Sequence, residues 1–540
     1  MTSSLHSTIA INQLGYRETD SKKAIITEHE GVFYVVDLYS NEKIFQGTTT
    51  DAKYDDASGM VVSTAEFSSC QLPGTYYIEL EQEVKSYPFI IGNDVYHDVH
   101  RALLKAFYYL RCGVELEEQY AGVWKHGTCH ISLVHIHGAP EQQFDGSGGW
   151  HDAGDYGKYI VAAGKAVADL LLAYEWYPQA FTAQIPLPES NEHMADVLHE
   201  CKVELDWMLR MQDQLSGGVY HKLTTLQFPP IDMMPEDDLA PLFASPISAT
   251  ATASFAATLA LAARIYQPLD EDYASYCLQQ AKIAWTWLEE HPSYPDFHNP
   301  IDVGTGEYGD PVDRDERYWA AAELYRTTGE EKYHEAFLDF VREQDFDHYQ
   351  LGWVDMGGYG TICYLLTEHD QDEAVVTLLR DGLQLRAAQL VEISKQDGYG
   401  ISMLPQHYVW GSNMNVMNNA MLLLIADRLF STSEYVDIVT QHVHYIFGAN
   451  VMGTSYVTGY GSKPMMNPHH RPSIGDGIVD PIPGMLSGGP NKNLQDEIAT
   501  TQLQGAAPAA AFIDHIESYA TNEITIYWNS PAVFVLSHFV

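Results

Sequence analysis

Residues 249–263 read ATATASFAATLALAA. Alanine, leucine, phenylalanine and small hydroxyl residues occupy every face of a helix drawn through them, so no polar stripe is left for water. A helix of this kind is buried on all sides and needs helical neighbours around it. Working outward, helical periodicity recurs over about 96–111, 158–175, 193–211, 249–266, 273–290, 313–327, 332–344, 370–391, 413–429, 433–447 and 527–540. Long loops rich in glycine and proline separate these segments, at 111–157, 216–247, 291–312, 391–412 and 448–505. Roughly a dozen helices joined by such loops predict a helical barrel rather than a small bundle, with function carried by the loops.

The first 94 residues read differently. Short β-prone runs at Lys23–Thr27, Val32–Tyr39, Lys43–Gln46, Val61–Phe67, Thr75–Leu80 and Ser86–Ile91 alternate with turns such as Leu72-Pro73-Gly74. Many short strands at this spacing predict a β-sandwich. The expected organisation is therefore multidomain, a β-sandwich module over 1–94 and an all-α domain over 95–540.

Composition narrows the function classes. Lys plus Arg number 29 against 73 Asp plus Glu, a formal net charge of −44. That field repels nucleic acid and anionic membranes and favours neutral or cationic ligands. Six cysteines in 540 residues make no disulfide framework. No run of about 18 apolar residues suggests a membrane span. The opening MTSSLHSTIAINQLGY has neither a basic start nor an apolar stretch, so a cytoplasmic location is expected. The sequence assigns no oligomeric state.

Four segments carry candidate chemistry. In Gly148–Tyr159, GGWHDAGDYGKY, Asp152 and Asp155 stand three apart in a glycine-rich loop before a helix. Paired carboxylates can hold and deprotonate one water, and the small residues let a substrate approach closely. Asp155 could equally cap the helix that follows. In 518–531, SYATNEITIYWNSP, a single Glu523 precedes a β-like run and a helix, and alone it is no more than a loop glutamate. In 467–472, NPHHRP, His469 and Arg471 offer donors for sugar hydroxyls. Finally Cys112, Cys129, His130 and His151 give the spacing C-x16-C-H-x20-H. Two thiolates and two imidazoles suit a closed tetrahedral zinc site. The spacing matches no common zinc finger, buried free thiols are the competing reading, and His126, His135 and His137 are alternative ligands.

Six motifs then stand in a telling order: DAGDYGKY at 152–159, WGSNMNVMNNAMLLL at 410–424, FGANVMGTSYVTGYG at 447–461, NPHHRP at 467–472, LSGGPN at 486–491 and SYATNEITIYWNSP at 518–531. Together they resemble glycoside hydrolase family 9. The opening Ile11–Tyr16, INQLGY, resembles the start of the immunoglobulin-like module found in one branch of that family. The resemblance implies an N-terminal immunoglobulin-like β-sandwich followed by an (α/α)6 barrel, and hydrolysis with inversion at the anomeric carbon. By motif position it implies Asp155 as general base, Asp152 as its partner in holding water, and Glu523 as general acid. His469 and Arg471 would bind sugar beside the scissile bond, and Tyr519 and Trp410, within the same motifs, are the candidate aromatic contacts. It also implies a structural zinc at Cys112, Cys129, His130 and His151, and no cofactor for catalysis; calcium is a second candidate ion.

Inversion requires Glu523 protonated, Asp155 ionised, and the two carboxyl groups roughly 6.5–9.5 Å apart to admit a water. The chain also resembles the cytoplasmic exo-β-glucosaminidase group of marine bacteria. With the strong negative charge, this gives the expected substrate: short β-1,4-linked glucosamine oligosaccharides cleaved from one end, with the Glu236-Asp237-Asp238 run able to pair an ammonium group. The alternatives are an endo-β-1,4-glucanase of the same family and a sugar-binding protein without catalysis.

Overall fold

The computed structural model describes residues 8–342 and 345–540. The chain divides into two compact units, Met1–Ala106 with Ala387–Val540, and Phe107–Arg386.

The first unit opens with the strands β1 (Ile9–Ala10), β2 (Gly15–Tyr16), β3 (Lys23–Thr27), β4 (Val32–Asp37), β5 (Lys43–Thr48), β6 (Lys53–Asp55), β7 (Met60–Glu66), β8 (Gly74–Leu80) and β9 (Phe89–Ile91). They form two sheets, in the orders β1-β3-β7-β6 and β2-β9-β8-β4-β5. Ile26, Phe33, Val35, Phe67, Ile78 and Phe89, drawn from both sheets and the turns between, are buried in one core. Alternation explains the longer strands: in β4 the pattern places Phe33 and Val35 inward. β1, β2 and β6 are absent from the sequence reading because two or three residues show no period. β2 lies parallel to β9. A side chain at Gly15 would meet the Ile90 carbonyl oxygen at 2.1 Å, so only glycine fits there.

Later residues of the same unit bind this module closely. Gln13 donates its backbone N–H to the Phe447 carbonyl (2.9 Å) and its side-chain amide to that of Gly453 (2.9 Å). Its side-chain oxygen accepts from the Lys463 N–H at 2.8 Å. Asp55 accepts from the Gly398 N–H at 2.8 Å. The helices Ser412–Phe430 and Ile526–Ser537 pack on one another, and every residue of the second is buried.

In the second unit four buried helices, Ile160–Trp176, Ala249–Tyr266, Arg314–Thr328 and Gly357–Leu365, pack in succession. Every residue from Ala249 to Ala263 is buried. More amphipathic helices follow the first three in the chain and pack against them: Asp196–Arg210, Glu271–Glu290 and Glu331–Phe340. The last corresponds to the expected 332–344, of which residues 343 and 344 lie outside the described residues. The helix Gly357–Leu365 was not expected, because three glycines weaken its helical signal. They are needed there: a Cβ at Gly358 would lie 2.3 Å from the Gln350 oxygen, and one at Gly360 2.5 Å from the Tyr318 ring.

The loops of this unit are more ordered than the sequence suggests. Lys158 and Tyr159 form a short strand rather than the first turn of a helix. It joins Lys222–Thr224, Phe243–Ala244, Val134–Ile136 and Ala139–Phe144 in a five-stranded sheet. Long-range pairing, invisible to local pattern, ties loop 111–157 to loop 216–247. Among the described residues no helix is long and apolar enough to cross a membrane.

Candidate active site and metal centre

The second unit carries Asp152 and Asp155. The Asp152 N–H donates to the Gly157 carbonyl (2.9 Å), and Asp155 Oδ2 accepts from the Gly157 N–H (2.9 Å). The loop thus closes on itself, with both carboxyl groups at its turn. Asp155 does not cap the following helix, whose N-terminal flank is Tyr159. Asp152 is 1% exposed; its Oδ2 accepts from the Tyr308 hydroxyl at 2.6 Å. Its Oδ1 is buried without a hydrogen-bond partner among the described residues. Burial pushes the Asp152 carboxyl well above the usual carboxylate range, with the Tyr308 hydroxyl pulling the other way and the Asp155 charge adding to the rise. Lys222 is held by Thr305 Oγ1 (3.0 Å) and the Gly306 carbonyl (2.5 Å). Burial lowers Lys222 to about 8, against the charges of Asp155 and Glu307.

Tyr308 is absent from the sequence reading. It has φ +52°, a conformation costly for a tyrosine, and its ring lies 4.4 Å from that of Tyr159 and 4.7 Å from that of Trp353. A lone tyrosine in a loop has no sequence signal; only the length of loop 291–312 marked the region. Directly after it come Asp310, Asp315 and Glu316, joined by Asp355. All four carboxyls are raised by burial first and then by neighbouring carboxylates, Asp310 to about 7 and Asp355 to about 6. Asp310 Oδ2, Asp315 Oδ1 and both oxygens of Glu316 are buried without hydrogen-bond partners among the described residues.

Next to Asp152 stands a candidate metal centre. The backbone around Arg111 pairs with that around Trp150: the Cys112 N–H donates to the Gly149 carbonyl and the His151 N–H to the Leu110 carbonyl, each at 2.7 Å. One ligand atom each from Cys112, Cys129, His130 and His151 lies within 4.8 Å of all the others, and all four residues are buried. Two sulfurs and two nitrogens so gathered fit zinc. The Cys129 thiol beside Cys112, aided by Lys158 and both imidazoles, holds the Cys112 thiol well below its ordinary range despite burial. Burial resists a proton on His130, but Asp238 and Cys112 outweigh it and lift the imidazole to about 9. Burial lowers His151. Asp238 Oδ2 stands 3.5 Å from His130 Nε2, the kind of carboxylate that orients a ligating imidazole.

The alternative histidines are committed elsewhere. His126 donates to the Gly127 carbonyl (2.7 Å), His135 to that of Pro140 (2.8 Å), and His137 bonds Asp302 (2.9 Å). The acidic run is also used structurally. Glu236 accepts from the Gly127 N–H at 3.2 Å, and Asp238 faces His130. Asp237, between them, is exposed.

Glu523 belongs to the first unit, where five of the six motifs are laced together by backbone. His469 bridges Glu523, with its N–H donating to the Asn522 carbonyl (2.9 Å). Gly488 donates to the Glu523 carbonyl (2.8 Å), Asn413 to that of Gly488 (2.9 Å), and Ser487 to that of Tyr456 (3.0 Å). Gly411 and Gly488 leave room for the Trp528 ring, which a Cβ at either would meet at 2.8 Å. Around Glu523 the Tyr519 ring lies 5.2 Å from that of Trp410 and 5.9 Å from that of His469. His469 Nδ1 donates to the Ile516 carbonyl at 2.6 Å, which fixes its tautomer. Trp410 is 40% exposed. Arg471 is buried at the start of the short helix Arg471–Gly475.

Comparison with known proteins fits this arrangement. The profile of "Glycosyl hydrolase family 9" matches residues 96–536, and that of "Cellulase N-terminal ig-like domain" matches residues 5–85. A cellodextrinase of Butyrivibrio fibrisolvens is 38% identical, over 98% of this chain and 99% of its own length. Among solved structures, a thermostable endoglucanase from Alicyclobacillus acidocaldarius superposes with TM-score 0.93 at 40% identity, covering 98% of this chain and 99% of that one. A zinc-binding triple mutant of a family 9 endoglucanase superposes with TM-score 0.90 at 35% identity, covering 97% and 99%.

Proposed function

The chain belongs to glycosyl hydrolase family 9, and from that premise we propose that it cleaves short β-1,4-linked glucan chains, cello-oligosaccharides above all, with inversion. It is a glycoside hydrolase, with an immunoglobulin-like β-sandwich ahead of an (α/α)6 barrel. That sets aside the non-catalytic reading. The glucan reading replaces the glucosaminidase expected from the sequence. The observation that carries it is the likeness to a cellodextrinase over nearly the full length of both chains.

In this reading Asp155 is the general base. Asp152, oriented by Tyr308, shares with it the water that attacks the anomeric carbon, so the water arrives with a lone pair aligned and a proton acceptor in place. Glu523 gives its proton to the leaving oxygen. Trp410, Tyr519, His469 and Arg471 bind the sugar rings, by stacking and by donors to hydroxyls. A zinc ion at Cys112, Cys129, His130 and His151 would supply a structural cross-link, its four protein donors leaving no position for substrate.

The test is kcat/KM on cellotriose to cellopentaose beside glucosamine oligosaccharides of the same length. Preference for the glucose series is expected. Preference for the glucosamine series would overturn the proposal.

A further inference from the structure

Behind the loop that joins metal centre and carboxylates lies a buried set of charges that the reaction does not use. The helix Asp196–Arg210 presents Glu200 and Glu204, one turn apart on a single face. Both are buried, at 0% and 1% exposure. Glu204 Oε2 accepts from the backbone N–H of Trp150 at 2.5 Å. Glu200 Oε1 accepts from the Trp150 indole N–H at 2.8 Å and from Arg111 Nε at 3.0 Å, while its Oε2 accepts from Arg111 Nη2 at 2.8 Å. Gly149 is what allows the approach: a Cβ there would lie 2.8 Å from Glu204 Oε2 and 2.8 Å from Trp207 Cβ.

The residues held are the neighbours of functional ones. Arg111 precedes Cys112. Trp150 precedes His151 and Asp152, and Arg111 and Trp150 are themselves bridged. The helix therefore grips two adjacent backbone segments at the residue before a metal ligand in each. A displacement of Trp150 would carry His151 off the metal and Asp152 off Tyr308 in one movement. A carboxyl buried merely for packing would be costly, since an apolar side chain fills such space without desolvating a polar group.

We propose that Glu204, supported by Glu200, is a positioning residue that sets the register of Trp150 and so couples the metal centre to the water-holding carboxylate Asp152. The catalytic part rests on the function proposed above; the metal and backbone parts stand apart from it. Glu204→Leu fills the same space without the acceptor, and Glu204→Gln keeps an acceptor oxygen. With zinc-loaded full-length protein, Glu204→Leu should lower kcat on cellotetraose by ~10–100-fold, the range seen when the orienting partner of a site residue is lost. KM should stay within about threefold and chelator-driven zinc release should quicken by a similar factor. Glu204→Gln should restore both to within about threefold of wild type. In unmutated protein, hydrogen exchange of the Trp150 amide should be as slow as that of the buried helices. Wild-type kcat and zinc release in a folded Glu204→Leu variant would overturn the proposal, as would a Glu204→Gln variant as impaired as the leucine one. If the leucine variant does not fold, fast exchange at Trp150 in the wild type overturns it and slow exchange upholds it. If the wild type cleaves no glucan, the functional reading fails, while zinc release and exchange still decide this one.

Discussion

Asp152 and Tyr308 show what one hydrogen bond does in a buried site. The Tyr308 hydroxyl favours the ionised form of a carboxyl that burial otherwise keeps protonated. Tyr308→Phe should cut kcat/KM by ~10–100-fold, the worth of a hydrogen bond to a charged group. Because the lost bond raised the ionised population, the acidic limb of the pH–rate profile should move to higher pH; an unmoved limb would show that Asp152 is not used as a carboxylate. Asp155→Asn and Glu523→Gln should each abolish turnover while melting as the wild type does, checked by single-turnover assay and calorimetry. In the sequence, glycines and motif order single out Asp152, Asp155 and Glu523 as candidates. Tyr308 was not, since a tyrosine's role there depends on a left-handed backbone and a contact 156 residues away.

Among the elements, the metal loop and the acidic cluster make separable predictions. Metal analysis should find zinc near one per chain, and Cys112→Ser should lose it together with activity, because His151 and Asp152 are neighbours. The acidic cluster sets a pH dependence. Asp310 and Asp355 have folded values raised to about 7 and about 6, so the folded chain binds more protons than the unfolded one between pH ~4 and ~7. Stability tied to this cluster is thus full at the acid end and falls as pH rises through that window. Melting curves at pH 5 and 8 should read that fall, and equal melting at the two would show that the cluster does not titrate in this window. Long helices were legible because their period persists over many residues. The helix Gly357–Leu365 and the two-residue strands were not, since packing against distant backbone, rather than local preference, makes them.

Over the whole molecule, the module and the net charge carry different weight. Gln13 and Asp55 bond the module to residues 398–463 within one compact unit. A chain beginning at residue 95 should therefore melt several degrees lower, each lost bond to a buried group contributing about 1 kcal/mol. Equal melting would make the module a passive appendage. The charge of −44 does not single out a sugar: in the acidic run Glu236 and Asp238 face the candidate metal loop, while Asp237 is exposed. Inverting cleavage of β-1,4-glucan can be read by following cellotetraose hydrolysis with proton NMR from the first minutes of the reaction. New reducing ends should appear first as the α-anomer and only later equilibrate to β. A β-anomer appearing first, or an inert cellotetraose beside a cleaved glucosamine tetramer, would contradict it.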